Sequence, residues 1–202
     1  MKAPELNGKT VAMLVTDGFE QVEMTEPRQA LEAAGATVEI VSPKSGRVKG
    51  WNSTDWGDQF EVDVALSAAD VSDYDALVLP GGVMNPDKLR TMPEARAFVR
   101  AFFDQHKPIA AICHGPWTLV DAGVAKGRKM TSWPSLRTDL KNGGATWVDE
   151  EVVVDGMLVT SRKPDDIPAF NRETIALIAR GGDGALASRA PKGRGRPAHP
   201  HR

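Results

Sequence analysis

The chain has 202 residues, 41% of them hydrophobic and 26% charged, enough for one sizeable α/β domain with a real core. Its formal charge of −2 is uneven: residues 181–202 hold five basic and one acidic side chain, leaving 20 basic and 26 acidic in residues 1–180, a formal −6. An acidic body speaks against nucleic-acid binding as the main function. The single cysteine excludes an intrachain disulfide framework, and no apolar run is long enough for a membrane span or a secretory leader, so the chain reads as cytoplasmic.

Thr10–Thr16 (TVAMLVT) predicts a buried strand stopped by Asp17-Gly18. Thr25 is expected to cap a helix that takes Pro27 in its first turn and ends at Gly35, which leaves Glu23 in the passage between strand and helix. Thr37–Ser42 predicts a second strand, completing the βαβ start of a parallel sheet. Residues 43–67 read as turns with a small β excursion, and Trp51 and Trp56 within it as packing or interface residues. Asp75–Leu79 predicts a further buried strand followed by Pro80-Gly81-Gly82. Paired glycines let a backbone approach a ligand closely and present N–H groups to an anion, although a plain turn has the same composition.

Pro93–Gln105 is strongly amphipathic, with Ala97, Phe98, Ala101 and Phe102 on one face. Ile109–Ile112 then predicts a strand buried on both faces, followed by Cys113-His114-Gly115-Pro116 and an amphipathic segment to about Val124. Strand, one reactive side chain, tight turn and helix is the layout of a nucleophile elbow, where a helix terminus favours thiolate. A lone cysteine is more often a small buried hydrophobe, so this stretch alone does not decide the matter. Leu136–Asn142 predicts a short helix, Ala145–Val148, Glu151–Val154 and Leu158–Ser161 strands, Asp155-Gly156 a hairpin turn, and Ile167–Ala179 a last helix. From Gly181 the periodicity stops, and a disordered basic Gly/Pro/Arg tail is expected, its His199 and His201 more simply inert than metal-binding.

Alternating strands and helices predict an open, mostly parallel sheet with helices on both faces, which binds ligands beyond the carboxyl ends of its strands. Glu23, Gly81-Gly82 and Cys113-His114 all fall at that edge. Three strand ends supplying an acid, backbone donors and a thiol make catalysis the better reading.

The segments LVTDGFEQVEMTEP, DALVLPGGVMNPDKLR, AICHGP and EVVVDGMLVTSRKPDDIPAFN resemble the DJ-1/PfpI superfamily, in its PfpI-like intracellular protease/amidase and YhbO-like branch, over roughly residues 8–180. The resemblance implies a flavodoxin-like three-layer sandwich in one domain, residues 1–180, assembled as a homodimer or larger homo-oligomer, without metal or cofactor. It implies Cys113 as nucleophile, His114 as the following histidine, and Glu23 as the acid beside the sulfur. Oxyanion and substrate contacts would come from the backbone of Gly81, Gly82 and Gly115, with the His114 N–H. Asp87 would match a third triad member reaching in from a neighbouring subunit, one methylene shorter than the glutamate of the PfpI protease.

Such proteins are described as peptidases or amidases, as glyoxalases, and as deglycases of dicarbonyl-modified amines. A thiolate adds readily to an aldehyde, and Glu23 is placed to move a proton between the two carbons of a dicarbonyl, so aldehyde chemistry in stress protection is expected. Peptide hydrolysis is the alternative and leans on His114 and Asp87. A glutamine amidotransferase would need a late His-x-Glu pair that Thr160–Asp165 lacks. A non-enzymatic redox sensor or chaperone would use the oxidation of Cys113 itself.

Overall fold

A computed structural model describes residues 5–187. Strand β1 (Thr10–Leu14) leads through β2 (Phe19–Glu20) into helix α1 (Gln21–Ala33). Strand β3 (Thr37–Ser42) is followed by a hairpin of β4 (Arg47–Asn52) and β5 (Asp55–Glu61), then β6 (Val64–Ala65) and β7 (Ala76–Leu79). Helices α2 (Met84–Leu89) and α3 (Pro93–Asp104) precede β8 (Ile109–Ile112) and α4 (Pro116–Asp121). The chain closes with β9 (Lys129–Met130), α5 (Arg137–Asn142), β10 (Thr146–Trp147), β11 (Val152–Asp155), β12 (Leu158–Ser161) and α6 (Ile167–Ala187).

The main sheet has the order β11-β12-β8-β7-β1-β3-β6. It is parallel throughout except for β11 at one edge. Every residue of β7 and β8 is buried, as expected for strands covered on both faces. The two-residue side-chain period divides the core. Ala12 and Leu14 face a layer built on Phe98, Phe102, Leu119 and Leu140, whereas Val11, Met13 and Val15 face one built on Met24, Leu31, Phe170 and Leu177. The result is a flavodoxin-like three-layer sandwich. The winding reverses between β1 and β7, and the crevice at their carboxyl ends is where this architecture places a ligand.

Several local expectations shift. Helix α1 starts at Gln21, so Glu23 lies in its first turn and Pro27 inside it. Thr25 is no cap; its hydroxyl donates to the Gln21 carbonyl at 3.1 Å. Pro27 cannot donate to the Glu23 carbonyl, but the buried Met24 and Leu31 hold both halves of the helix on the sheet. The excursion at 43–67 supplies the β4–β5 hairpin, which joins β2 in a three-stranded sheet and in which Trp51 and Trp56 are cross-strand partners meeting edge to face at 5.5 Å. Residues 146–147 pair with β9 rather than joining the main sheet. The last helix continues past Ala179 to Ala187, and residues 188–202, which carry His199 and His201, lie outside the described residues. No helix among the described residues is long and apolar enough to cross a membrane.

Phe102 is fully buried between Phe98 and Tyr74, with ring centroids at 5.1 and 6.3 Å. Phe102→Ala is expected to cost about 3–5 kcal/mol. In urea this should appear as a lower midpoint at an unchanged slope.

Candidate active site

Cys113 follows the last residue of β8 with φ of 61°, in the left-handed region that costs a side-chain-bearing residue about 1–2 kcal/mol. The surroundings over-determine that conformation. The Cys113 N–H donates to the Ser161 carbonyl at the end of β12 (3.0 Å), and its carbonyl accepts from the Trp133 N–H (2.9 Å). The Gly115 N–H then closes the turn onto the Ile112 carbonyl at 2.9 Å. Held this way, the sulfur projects over the carboxyl ends of β7 and β1.

Glu23 reaches the same point from α1 and is fully buried. Its Oε2 accepts from the Gly81 N–H at 2.9 Å, and its Oε1 has no hydrogen-bond partner among the described residues. Gly81 must be glycine: a Cβ there would lie 2.5 Å from Glu23 Oε2 and 2.7 Å from the Cys113 Cβ. Gly82 adopts φ of +75°, which favours glycine, and turns the loop back beneath Glu20. Asn85 holds this loop in place. Fully buried, it accepts from the Thr16 N–H (2.8 Å) and donates to the carbonyls of Pro80 (3.0 Å) and Gly81 (3.3 Å), tying the ends of β1 and β7 together.

Desolvation pushes the Glu23 carboxyl up to about 8. Burial also raises the Cys113 thiol, as does negative charge on Glu23, while the N–H groups of Gly82 and His114 favour the thiolate. The helix-terminus expectation of a readily ionised thiol therefore meets an opposing desolvation cost, since Cys113 is only 6% exposed. The Glu23 contribution vanishes once that carboxyl is protonated, so thiolate and carboxylic acid belong together. His114 is also buried, which lowers its pKa to about 4 and keeps it neutral at pH 7. Its Nδ1 lies 3.1 Å from Cys113 Sγ, and its ring packs against Trp117 and, nearly parallel, Trp133.

These groups open into a cavity of about 440 Å³ lined by Glu20, Glu23, Trp51, Ser53, Gly82, Val83, Met84, Cys113, His114 and Trp133, among others. The structure thus brings Cys113, His114, Glu23 and the Gly81-Gly82 loop together. The N–H of Gly81 is committed to Glu23 and that of Gly115 to Ile112, leaving Gly82 and His114 as the backbone donors nearest the sulfur. Asp87 sits exposed on α2 and is not part of the cavity wall. Glu20, Trp51, Ser53, Met84, Trp133 and the buried Asn85 were not singled out as site residues from the sequence. The spacing of Glu20 three residues before Glu23 was the one available signal; the others come from loops with no periodicity.

Comparison with known proteins gives the family. The DJ-1/PfpI family profile matches residues 9–177. The chain belongs to the DJ-1/PfpI family. It is 45% identical over 171 residues to the putative cysteine protease YraA of Bacillus subtilis, covering 84% of this chain and 98% of that protein. It is 42% identical over 172 residues to protein/nucleic acid deglycase 2 of Escherichia coli, covering 84% and 98% respectively. Among solved structures, Drosophila melanogaster DJ-1beta superposes with a TM-score of 0.75 at 30% identity, over 88% of this chain and 97% of that one. Relatives in this family carry enzyme names of two kinds, deglycase and cysteine protease.

Two outcomes test the site as built. Because the folded His114 releases its proton near 4 rather than 6.5, the unfolded chain binds more protons between those values, and the stability His114 allows is lost as pH falls through that window. His114→Gln removes this dependence, so its Tm relative to wild type should climb steadily from pH 6.5 down to pH 4. A constant difference would mean that His114 titrates alike in both states. Asn85→Ala takes the partner from the Thr16 N–H and the Pro80 carbonyl, while the Gly81 carbonyl keeps the Glu20 N–H at 3.3 Å; a loss of at least about 2 kcal/mol is expected from a chemical denaturation curve.

Proposed function

We propose that this protein is a cysteine-dependent enzyme acting on reactive dicarbonyls or on their adducts with amines, in the manner of a glyoxalase or deglycase. The observation that carries this reading is the buried Glu23 carboxyl, raised to about 8, beside the Cys113 sulfur in an open cavity. A group with that pKa both takes and returns protons near neutral pH. The deglycase name of a 42% identical relative supports the same choice.

The steps balance without an added oxidant or reductant. Glu23 takes the Cys113 thiol proton as the sulfur bonds to the aldehyde carbon, the carbonyl π pair becomes an oxyanion beside the Gly82 and His114 N–H groups, and Glu23 passes that proton on to it. Glu23 then removes the proton on that carbon and returns it to the neighbouring carbonyl carbon through an enediol. The first carbon is oxidised to a thioester as the second is reduced to an alcohol. Water cleaves the thioester, releasing a 2-hydroxy acid and the thiol. From an amine adduct, the amine leaves when the dicarbonyl is transferred to sulfur.

Cysteine peptidase or amidase chemistry is the second reading, favoured by the 3.1 Å approach of His114 Nδ1 to Sγ. It needs an acid on His114, and Asp87, exposed on its own subunit, would have to act on a neighbour's site in a cytoplasmic homodimer or larger assembly. Residues 1–180 would suffice for either chemistry, with the basic tail dispensable.

Cys113→Ser is expected to keep the fold and lower methylglyoxal turnover by at least about a hundredfold. Glu23→Gln should reduce kcat far more than it raises KM; a change in KM alone would make Glu23 a binding residue. Mixing Cys113→Ala and Asp87→Asn subunits under verified exchange separates the readings. Recovery of about a quarter of wild-type sites supports an acid acting between subunits, whereas full activity of Asp87→Asn alone removes that role.

A further inference from the structure

The cavity holds a second carboxylate that the chemistry above leaves unused. Glu20 ends β2, half-buried in the cavity wall. Its Oε1 accepts the Ser53 N–H at 3.1 Å. Among the described residues its other oxygen has no hydrogen bond, and no lysine or arginine pairs with it. Most other buried or half-buried acids of this protein do have such partners: Asp166 has Arg162, Asp17 has Lys44, Asp75 has Lys9. Another cavity, of about 170 Å³ at the opposite sheet edge, likewise has its acid, Asp155, beside Arg128.

The rest of the wall deepens the imbalance. Its other titratable groups are Glu23, Cys113 and the neutral His114, so none of the described residues lining the cavity is a cation. Two indoles line the same cavity as the carboxylate. Trp51 belongs to the β4–β5 hairpin that also supplies Ser53, and Trp133 stands 38% exposed against His114. An indole is the best aromatic partner for an organic cation, and a desolvated carboxylate the best acceptor for its N–H groups. A volume of about 440 Å³ suits a long side chain reaching in from a larger molecule.

We propose that Glu20, Trp51 and Trp133 form a cation-recognition subsite, which takes the guanidinium or ammonium group of a modified arginine or lysine side chain while the dicarbonyl carbon meets Cys113. The proposal rests on the glyoxalase/deglycase reading for the reacting carbon, but the selection of charge does not. Glu20 here is a binding residue with no proton to move, and the planar guanidinium fits the carboxylate and the indole faces better than the ammonium does.

The test uses two probes of one shape and no reactive carbonyl: Nα-acetyl-arginine amide, a cation, and Nα-acetyl-citrulline amide, which is neutral. Each protects Cys113 from iodoacetamide, followed by intact mass, in wild type, Glu20→Gln and the charge-preserving Glu20→Asp. The arginine probe is expected to bind wild type at least about tenfold more tightly than the citrulline probe, the scale of one charge-assisted hydrogen bond. The ratio should collapse toward one in Glu20→Gln and persist in Glu20→Asp. Equal protection by the two probes in wild type, or an arginine preference that survives Glu20→Gln, would overturn the subsite. No turnover is measured, so the reaction assignment is judged separately: an enzyme inert toward methylglyoxal that still prefers the arginine probe would keep the subsite and lose the chemistry.

Discussion

The backbone of Cys113 is the constraint from which the site follows. A residue with a side chain at φ of 61° is held there against its own preference, by one hydrogen bond to β12 and another from the Trp133 segment. Those two bonds hold only because β8 is a central strand with parallel neighbours on both sides, which leaves it no freedom to slide. The same tight turn brings Ile112 and Gly115 together and keeps the sulfur over the strand ends. Relaxing Cys113 into an ordinary conformation would lose both clamps and turn the sulfur away from Glu23.

Burial then sets the chemistry. Glu23 and Cys113 approach so closely that a single Cβ at position 81 would collide with both, and two negative charges cannot be held there together. The carboxyl keeps its proton to about 8 because water is excluded, and its unpartnered Oε1 is left for the sulfur or a substrate oxygen. Precision in this contact comes from a residue that touches no reacting atom. Asn85 joins Thr16, Pro80 and Gly81 across the switch point of the sheet, so the loop that presents Gly82 is tied to the ends of both strands.

The reactive corner is narrow, whereas the cavity in front of it is wide and assembled from unrelated segments. The β4–β5 hairpin provides Trp51 and Ser53, the turn after β9 provides Trp133, and the start of α2 provides Met84. This division suits a family whose members carry different enzyme names: the thiol corner is set by the sheet, and the wall by a hairpin and loops outside it.

Much of this was legible before any coordinates. Apolar runs bounded by Gly and Pro located the strands around Val11, Val78 and Ala110, and alternation with helices implied a parallel sheet whose carboxyl edge carries Glu23, Gly81-Gly82 and Cys113. Those features follow from local chemistry, because burial on both faces demands unbroken apolar strands. Short or strained features did not show. Helix α2 is too brief for periodicity, Pro27 argued for a helix start that the buried Met24 and Leu31 override, and the positive φ of Cys113 leaves no mark on residue choice. Nor could the sequence say that Asn85 is buried, that Glu20 has no counter-charge among the described residues, or which N–H groups are already spent on Glu23 and Ile112. Each depends on what stands opposite, often more than thirty residues away in the chain, and only packing brings those partners within the few ångströms over which hydrogen bonds and desolvation act.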